Sequence, residues 1–415
     1  MLFNNFVYMK INIFLITIIF FSLFSCSKKL HPDYKSINDI SATVINLQTS
    51  NKKFIPKDNY SSIYVRVNFI FPLDDNGGGN FNGKNEEDND IFEQIFKKSN
   101  GIYSGLKDPN DPICYKGDDF ISDTKIQLLF KSFYFKDSFA RNYLNAKGYS
   151  EKKKNINLLT PSKNWYLKYL DDNINDTITN KGINVYNTLN VDVYKELIED
   201  KSGKGYVNSM KNSISQFPSY SDFNRSSQIS YPNKFVSKIW MKEIYTKENN
   251  TSWEKYVKGY FISFYRGLSH ELGHSLGLAH SNEYHGTNKC FKAMMSQSGK
   301  SPRNYIQPSE IGKMHKALMT SNLIQFVTEN SNFNVPLIIA DNENWAFKSL
   351  RFYQDIIVKE GKILILNGSV ILPSNAKITL EKNAVLVLNN ATLKTANRKL
   401  FSNFIKKKYA KIIRY

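Results

Sequence analysis

Residues 61–71 alternate between apolar and polar side chains, a period-two pattern that predicts a half-buried strand. Stretches 125–135, 183–188 and 235–245 read as further strands, and 89–106 reads as a helix. Between 137 and 233 the chain is long, polar and poorly periodic, which predicts insertions with one or two helices. After residue 335 the pattern changes. "DIIVKEGKILILNGSVIL" and "KITLEKNAVLVLNNATLK" align at an offset of 22, pairing Ile356 with Ile378, Val358 with Leu380, Ile363 with Val385, Ile365 with Val387 and Asn367 with Asn389. Apolar runs with Gly or Asn corners at this period predict the coils of a parallel β-helix; a small antiparallel sheet is the alternative. The expected class is α+β, a mixed sheet with helices followed by a small all-β segment.

A second apolar rhythm has period four. Leu268, Leu272 and Leu276 mark the core face of an amphipathic helix, and His270 and His274 share another face, so both rings can meet at one point. Gly277 can take positive φ, end the helix and bring His280 back to that point. Buried imidazoles need partners for both nitrogens, and three of them together call for a shared one. Three nitrogen donors with one open position suit a catalytic zinc, at about 2.0–2.1 Å per nitrogen. Glu271 follows the first ligand, where its carboxylate can take a proton from a bound water and pass it to a leaving amine.

His270, Glu271, His274, Gly277 and His280 fill every fixed position of H-E-x-x-H-x-x-G-x-x-H, and in this the chain resembles the metzincin family of zinc endopeptidases. The early strand "IYVRVNFIF" and the segment "IQPSEIGKMHKAL" resemble pappalysin-like bacterial members. The resemblance spans residues 55–328 and implies a zincin catalytic domain, one Zn2+ ion, a protein or peptide substrate and a methionine turn beneath the metal. In "AMMSQ" that methionine is Met295, with Met294 as the alternative. Some metzincins carry a tyrosine two residues further on; here the position is Gln297, so assistance to the oxyanion stays unassigned. His315 reads as a packing or hydrogen-bonding residue of a later helix, and His285 as a loop residue.

Composition places this chemistry. From Met9, one lysine and a short apolar run lead to Ser25 and Cys26, which resembles a bacterial lipoprotein signal peptide with Cys26 as the lipidated residue. The expected address is the cell envelope, on the outer membrane, held by the N-terminal lipid. Cys114 and Cys290 then remain, either as one disulfide in an exported protein or as two buried thiols. The formal charge of +19 favours anionic partners, but lysine is spread along the chain and forms no single stripe, so nucleic acid is not expected. "GGNFNGK" at 78–84 lacks the serine or threonine of a phosphate-binding loop. The acidic run around it offers oxygen ligands to calcium without the spacing of an EF-hand.

The expected organisation is a signal peptide at 1–25, a tether or short propeptide at 26–55, a metzincin-like zinc protease domain at 56–328, β-helix-like repeats at 335–395 and a basic tail at 396–415. The expected activity is zinc-dependent endopeptidase. A rival reading is a catalytically silent zincin-scaffold lipoprotein that binds protein or glycan. The intact Glu271 favours catalysis, because a pure binding module needs no base beside its metal.

Overall fold

The computed structural model describes residues 45–46, 51–73, 75–77, 86–111, 113–114, 120–136, 182–186, 214–215, 228–230, 265–280, 290, 292–296 and 303–415. Cys26 and its apolar run, the expected strand at 235–245, the glycine-rich stretch at 78–84, His285 and Gln297 lie outside the described residues.

A two-residue strand, β1 (Ile45–Asn46), comes first and pairs far along the chain. The first sheet is built from β2 (Ile63–Leu73), β3 (Ile126–Lys136), β4 (Ile183–Tyr186), β5 (Ile214–Ser215) and β6 (Gln228–Ser230), in the order β3-β2-β4-β6-β5. The β2–β3, β2–β4 and β4–β6 pairs are parallel, and β5 runs antiparallel at the edge. The period-two pattern is realised in β2, where Ile63, Val65, Val67 and Phe69 are fully buried. Parallel neighbours need a crossover, and α1 (Glu86–Ser104) supplies the one between β2 and β3. Phe92 and Phe96 of α1 meet Phe69, and Phe96 stacks on Phe130 at 4.4 Å between centroids.

Helix α2 occupies 265–275 and α3 spans Pro308–Thr320. Leu268, Leu272 and Leu276 of α2 are completely buried in the core shared with β2 and α1, each worth about 1.5–3 kcal/mol of apolar burial. Pro308 sits in the first turn of α3, and the Gln307 backbone N–H donates to Glu310 Oε2 at 3.1 Å, which caps that helix.

The C-terminal segment is a parallel β-solenoid of about three turns. One sheet runs β1-β8-β10-β12-β14 and the other β13-β11-β9-β7, with β7 Leu337–Ile339, β8 Glu343–Arg351, β9 Ile356–Val358, β10 Ile363–Leu372, β11 Ile378–Leu380, β12 Val385–Thr395, β13 Phe404–Lys406 and β14 Lys411–Arg414. Every strand pair in both sheets is parallel, which removes the antiparallel alternative. All five residue pairs expected from the offset of 22 are register partners. The corners repeat with them: Gly361 and Asn383 both take positive φ, as do Gly368 and Asn390. Asn389 donates to Asn367 at 2.7 Å and Asn367 to Asn344 at 2.8 Å, a side-chain ladder that locks the register.

Two boundaries differ from the expected ones. Strands β13 and β14 lie within the segment set apart as a basic tail, and they extend both sheets. Lysine can line an outer coil because its stem lies on the sheet while the ammonium stays in water. β1, from the expected tether, pairs in parallel with β8. Lys53 forms an ion pair with buried Glu343, and Phe54 packs edge-on against fully buried Trp345.

The solenoid does not stand apart. Arg351 donates to the carbonyls of Val327 and Thr328, Tyr353 Oη donates to Leu318 O at 2.8 Å, and one apolar core runs through both parts.

Candidate metal centre

The histidine face of α2 depends on how the helix ends. Gly277 has φ of 97°. Its N–H donates to His274 O at 2.9 Å, and Leu278 N–H donates to Gly273 O at 2.9 Å, the paired bonds of a Schellman ending. A side chain at 277 would be strained there. The reversal brings His280 beside the helix, with its ring centroid 5.2 Å from that of His270 and 4.5 Å from that of His274. The three candidate ligand nitrogens lie within 4.8 Å of one another, and His274 Nε2 is 3.0 Å from His280 Nε2.

The outer nitrogens are committed elsewhere. His270 Nδ1 donates to Met294 O at 2.9 Å and His274 Nδ1 to Leu278 O at 2.7 Å. Each bond fixes a ring and its tautomer and leaves the Nε2 lone pair directed at the common point. Burial, opposed by the Met294 bond and by Glu271, lowers the His270 pKa to about 4, so the ring is neutral at pH 7. Convergent nitrogen donors, two of them held by backbone carbonyls, fit a metal ion; this group could bind one.

The segment 292–296, where a methionine turn is expected, packs against α2. Met294 and Met295 are both buried, and they divide the work. Met294 supplies the carbonyl to His270, while the sulfur of Met295 lies 2.5 Å from where a β-carbon on Gly273 would stand. The turn is held from behind: Met294 N–H donates to Tyr305 O at 2.7 Å and Tyr305 N–H to Lys292 O at 3.2 Å. Cys114 and Cys290 are joined as a disulfide, with Cα atoms 4.9 Å apart across 176 residues of sequence. Tyr305 Oη and Gln307 Nε2 both donate to Cys114 O, so the bridge and the turn share one support.

Glu271 is buried beside the first ligand, and its negative charge acts on His270 and on Arg303. Arg303 is itself buried, and burial together with Arg266 lowers its pKa while Glu271 opposes the shift. Tyr103 of α1 donates to Ser269 O at 2.8 Å, and burial pushes its phenol pKa up. Ser99 Oγ, also of α1, donates to Tyr265 O at 3.3 Å, so α1 holds α2 just before its first histidine.

His315 lies elsewhere, on α3. It is buried, its Nε2 donates to Thr124 O at 2.7 Å, and burial lowers its pKa to about 4. Four residues went unread in the sequence: Gly273, Tyr103, Arg266 and Arg303. Only Gly273 carried a signal, since a glycine inside a helix costs about 1 kcal/mol against alanine and calls for a packing reason.

Among the described residues no helix is long and apolar enough to cross a membrane. No family model matches the chain, and no curated protein matches it either.

Proposed function

We propose that the chain is a zinc-dependent endopeptidase of metzincin type, anchored to a bacterial cell envelope through lipid on Cys26. The observation that carries the reading is the convergence of three imidazoles on one point, two of them oriented by backbone carbonyls, with a buried carboxylate next to the first. His270, His274 and His280 would hold the ion, a histidine-only set that leaves a position open, as catalytic zinc sites do. A zinc ion there supplies a Lewis acid that polarises the scissile carbonyl and lowers the pKa of the attacking water. Glu271 accepts the proton from that water and returns it to the departing nitrogen, a role worth about 10²–10⁴-fold. Met294 O keeps His270 turned toward the ion, and the Met295 side chain fills the space under α2.

Purified wild-type protein is expected to carry one zinc per chain, to hydrolyse a susceptible peptide and to stay with washed membranes through an N-terminal lipid. Glu271→Gln keeps the zinc and loses at least about a hundredfold in turnover; His274→Ala loses both metal and hydrolysis. Unchanged hydrolysis in metal-replete Glu271→Gln protein sinks the mechanism, and a wild-type protein without zinc sinks the metalloprotease. Release of an unlipidated protein by washing sinks the anchor.

A further inference from the structure

A cavity of about 680 Å³ opens between α1, the start of the described part of α2 and residues 303–304. Its walls carry Lys97, Lys98, Lys107, Arg266 and Arg303, and none of its described lining residues is acidic. Lys98 Nζ and the Arg266 guanidinium lie 5.7 and 5.9 Å from the centroid of the same ring, Tyr265, so two cations face one aromatic wall. Among the described residues, Lys97, Lys98, Lys107 and Arg266 form no ion pair. A concave wall of one sign focuses its field into the space it encloses, which a flat basic surface does not.

The cavity adjoins the metal centre in two ways. Arg266, His270 and His274 are spaced by four and lie along one face of α2, so Arg266 sits about 6 Å along the helix axis from the first ligand. Arg303, from the opposite wall, feels both Arg266 and Glu271. An extended peptide advances about 3.3–3.4 Å per residue, which places the cavity one or two residues from a bond held at the metal.

We propose that this cavity receives the side-chain carboxylate of an aspartate or glutamate in the peptide being cut, one or two residues from the scissile bond. The inference rests on the endopeptidase reading for the word "cut"; the binding itself stands on the cavity. Arg266 offers a planar fork that fits a carboxylate, Lys98 adds a second charge beside Tyr265, and Arg303 closes the buried end. Acidic residues are thus selected by attraction, and basic ones are rejected by the same wall.

The test uses the zinc-loaded full chain carrying Glu271→Gln and short C-terminally amidated peptides that differ only in Glu, Gln or Lys at one scanned position. At low salt the Glu peptide is expected to bind at least about tenfold tighter than the Gln peptide, with the Lys peptide weakest, and the gap narrows as salt rises. In the double variant Lys98→Glu and Arg266→Glu the order inverts. With wild-type enzyme the same preference appears in kcat/KM, carried mainly by KM. Equal binding of Glu and Gln peptides at low salt overturns the proposal, and that result does not need the double variant to fold. Acid-selective binding without cleavage of any peptide supports the cavity and overturns the endopeptidase instead.

Discussion

Gly273 is the residue through which the turn beneath α2 can be disturbed without touching the histidine cluster. In Gly273→Ala the new methyl would stand 2.5 Å from Met295 Sδ and 2.9 Å from Met294 Cε. Ordinary contact begins near 3.4 Å, so the sulfur must retreat by roughly 0.9 Å. Alanine favours the helix by about 1 kcal/mol, and overpacking a filled interior costs about 1–3 kcal/mol. Stability of the metal-free protein therefore changes little, by about 0–2 kcal/mol. Affinity for the proposed zinc is affected more. Met294 O holds His270 Nδ1 at 2.9 Å, and a shifted turn weakens the bond that aims the ring. Loss of such an outer partner costs about 10–100-fold in metal affinity. Competition against a chelating dye measures the affinity, and thermal unfolding of the metal-free protein measures the stability. Zinc affinity within twofold of wild type would refute the claim that the turn orients the ligand.

Two further outcomes follow from buried groups away from the ligands. His315 has a folded pKa of about 4 against about 6.5 unfolded, so the unfolded chain takes up more protons as pH falls between those values, and stability present above pH 6.5 is lost toward pH 4. His315→Gln should remove up to about 3 kcal/mol of that acid-dependent loss in denaturant titrations at pH 7 and pH 4.5, and an identical slope in both proteins would assign the loss elsewhere. Replacing Cys114 and Cys290 together by serine should lower stability by about 2–5 kcal/mol, matched in wild type by adding reductant; a change below about 0.5 kcal/mol in urea unfolding would mean the bridge does not constrain the chain.

The metal cluster was legible because its order lies within twelve residues. Histidines at i and i+4, a glycine that ends the helix and one more histidine determine each other through helix geometry alone. The solenoid was legible for a related reason. Parallel coils stack equivalent positions, so the offset between Ile363 and Val385 in sequence is the register between them in space. The last coil was missed because its spacing stretches: Ile378 pairs with Phe404, 26 positions on, and the register partners of Leu380, Val385 and Leu388 are the basic residues Lys406, Lys411 and Arg414. The same holds for β1, since two residues carry no periodicity. Nor does periodicity report where a distant helix lays its lysines beside Arg266, because that proximity exists only once α1 and α2 have packed. Met294 and Met295 could be placed as a turn from the upstream motif. The use of one methionine's backbone and the other's side chain could not, since neighbours alternate roles only when the fold aims them.

β1 and β8 pair across more than two thirds of the chain, from Ile45 to Glu343. During synthesis those residues leave the ribosome about 15–60 s apart at roughly 5–20 residues per second. Throughout that interval β1 has no strand to join, while the sheet, α1, α2 and the histidine cluster have all been made. Closure of the first coil over residues 45–46, with Lys53 reaching Glu343 and Phe54 reaching Trp345, is therefore a late event in the protein's biogenesis. A chain stopped before residue 343 would carry the histidine cluster but leave β1 unpaired and Phe54 without the Trp345 ring against it, which makes that segment a target for proteolysis and quality control.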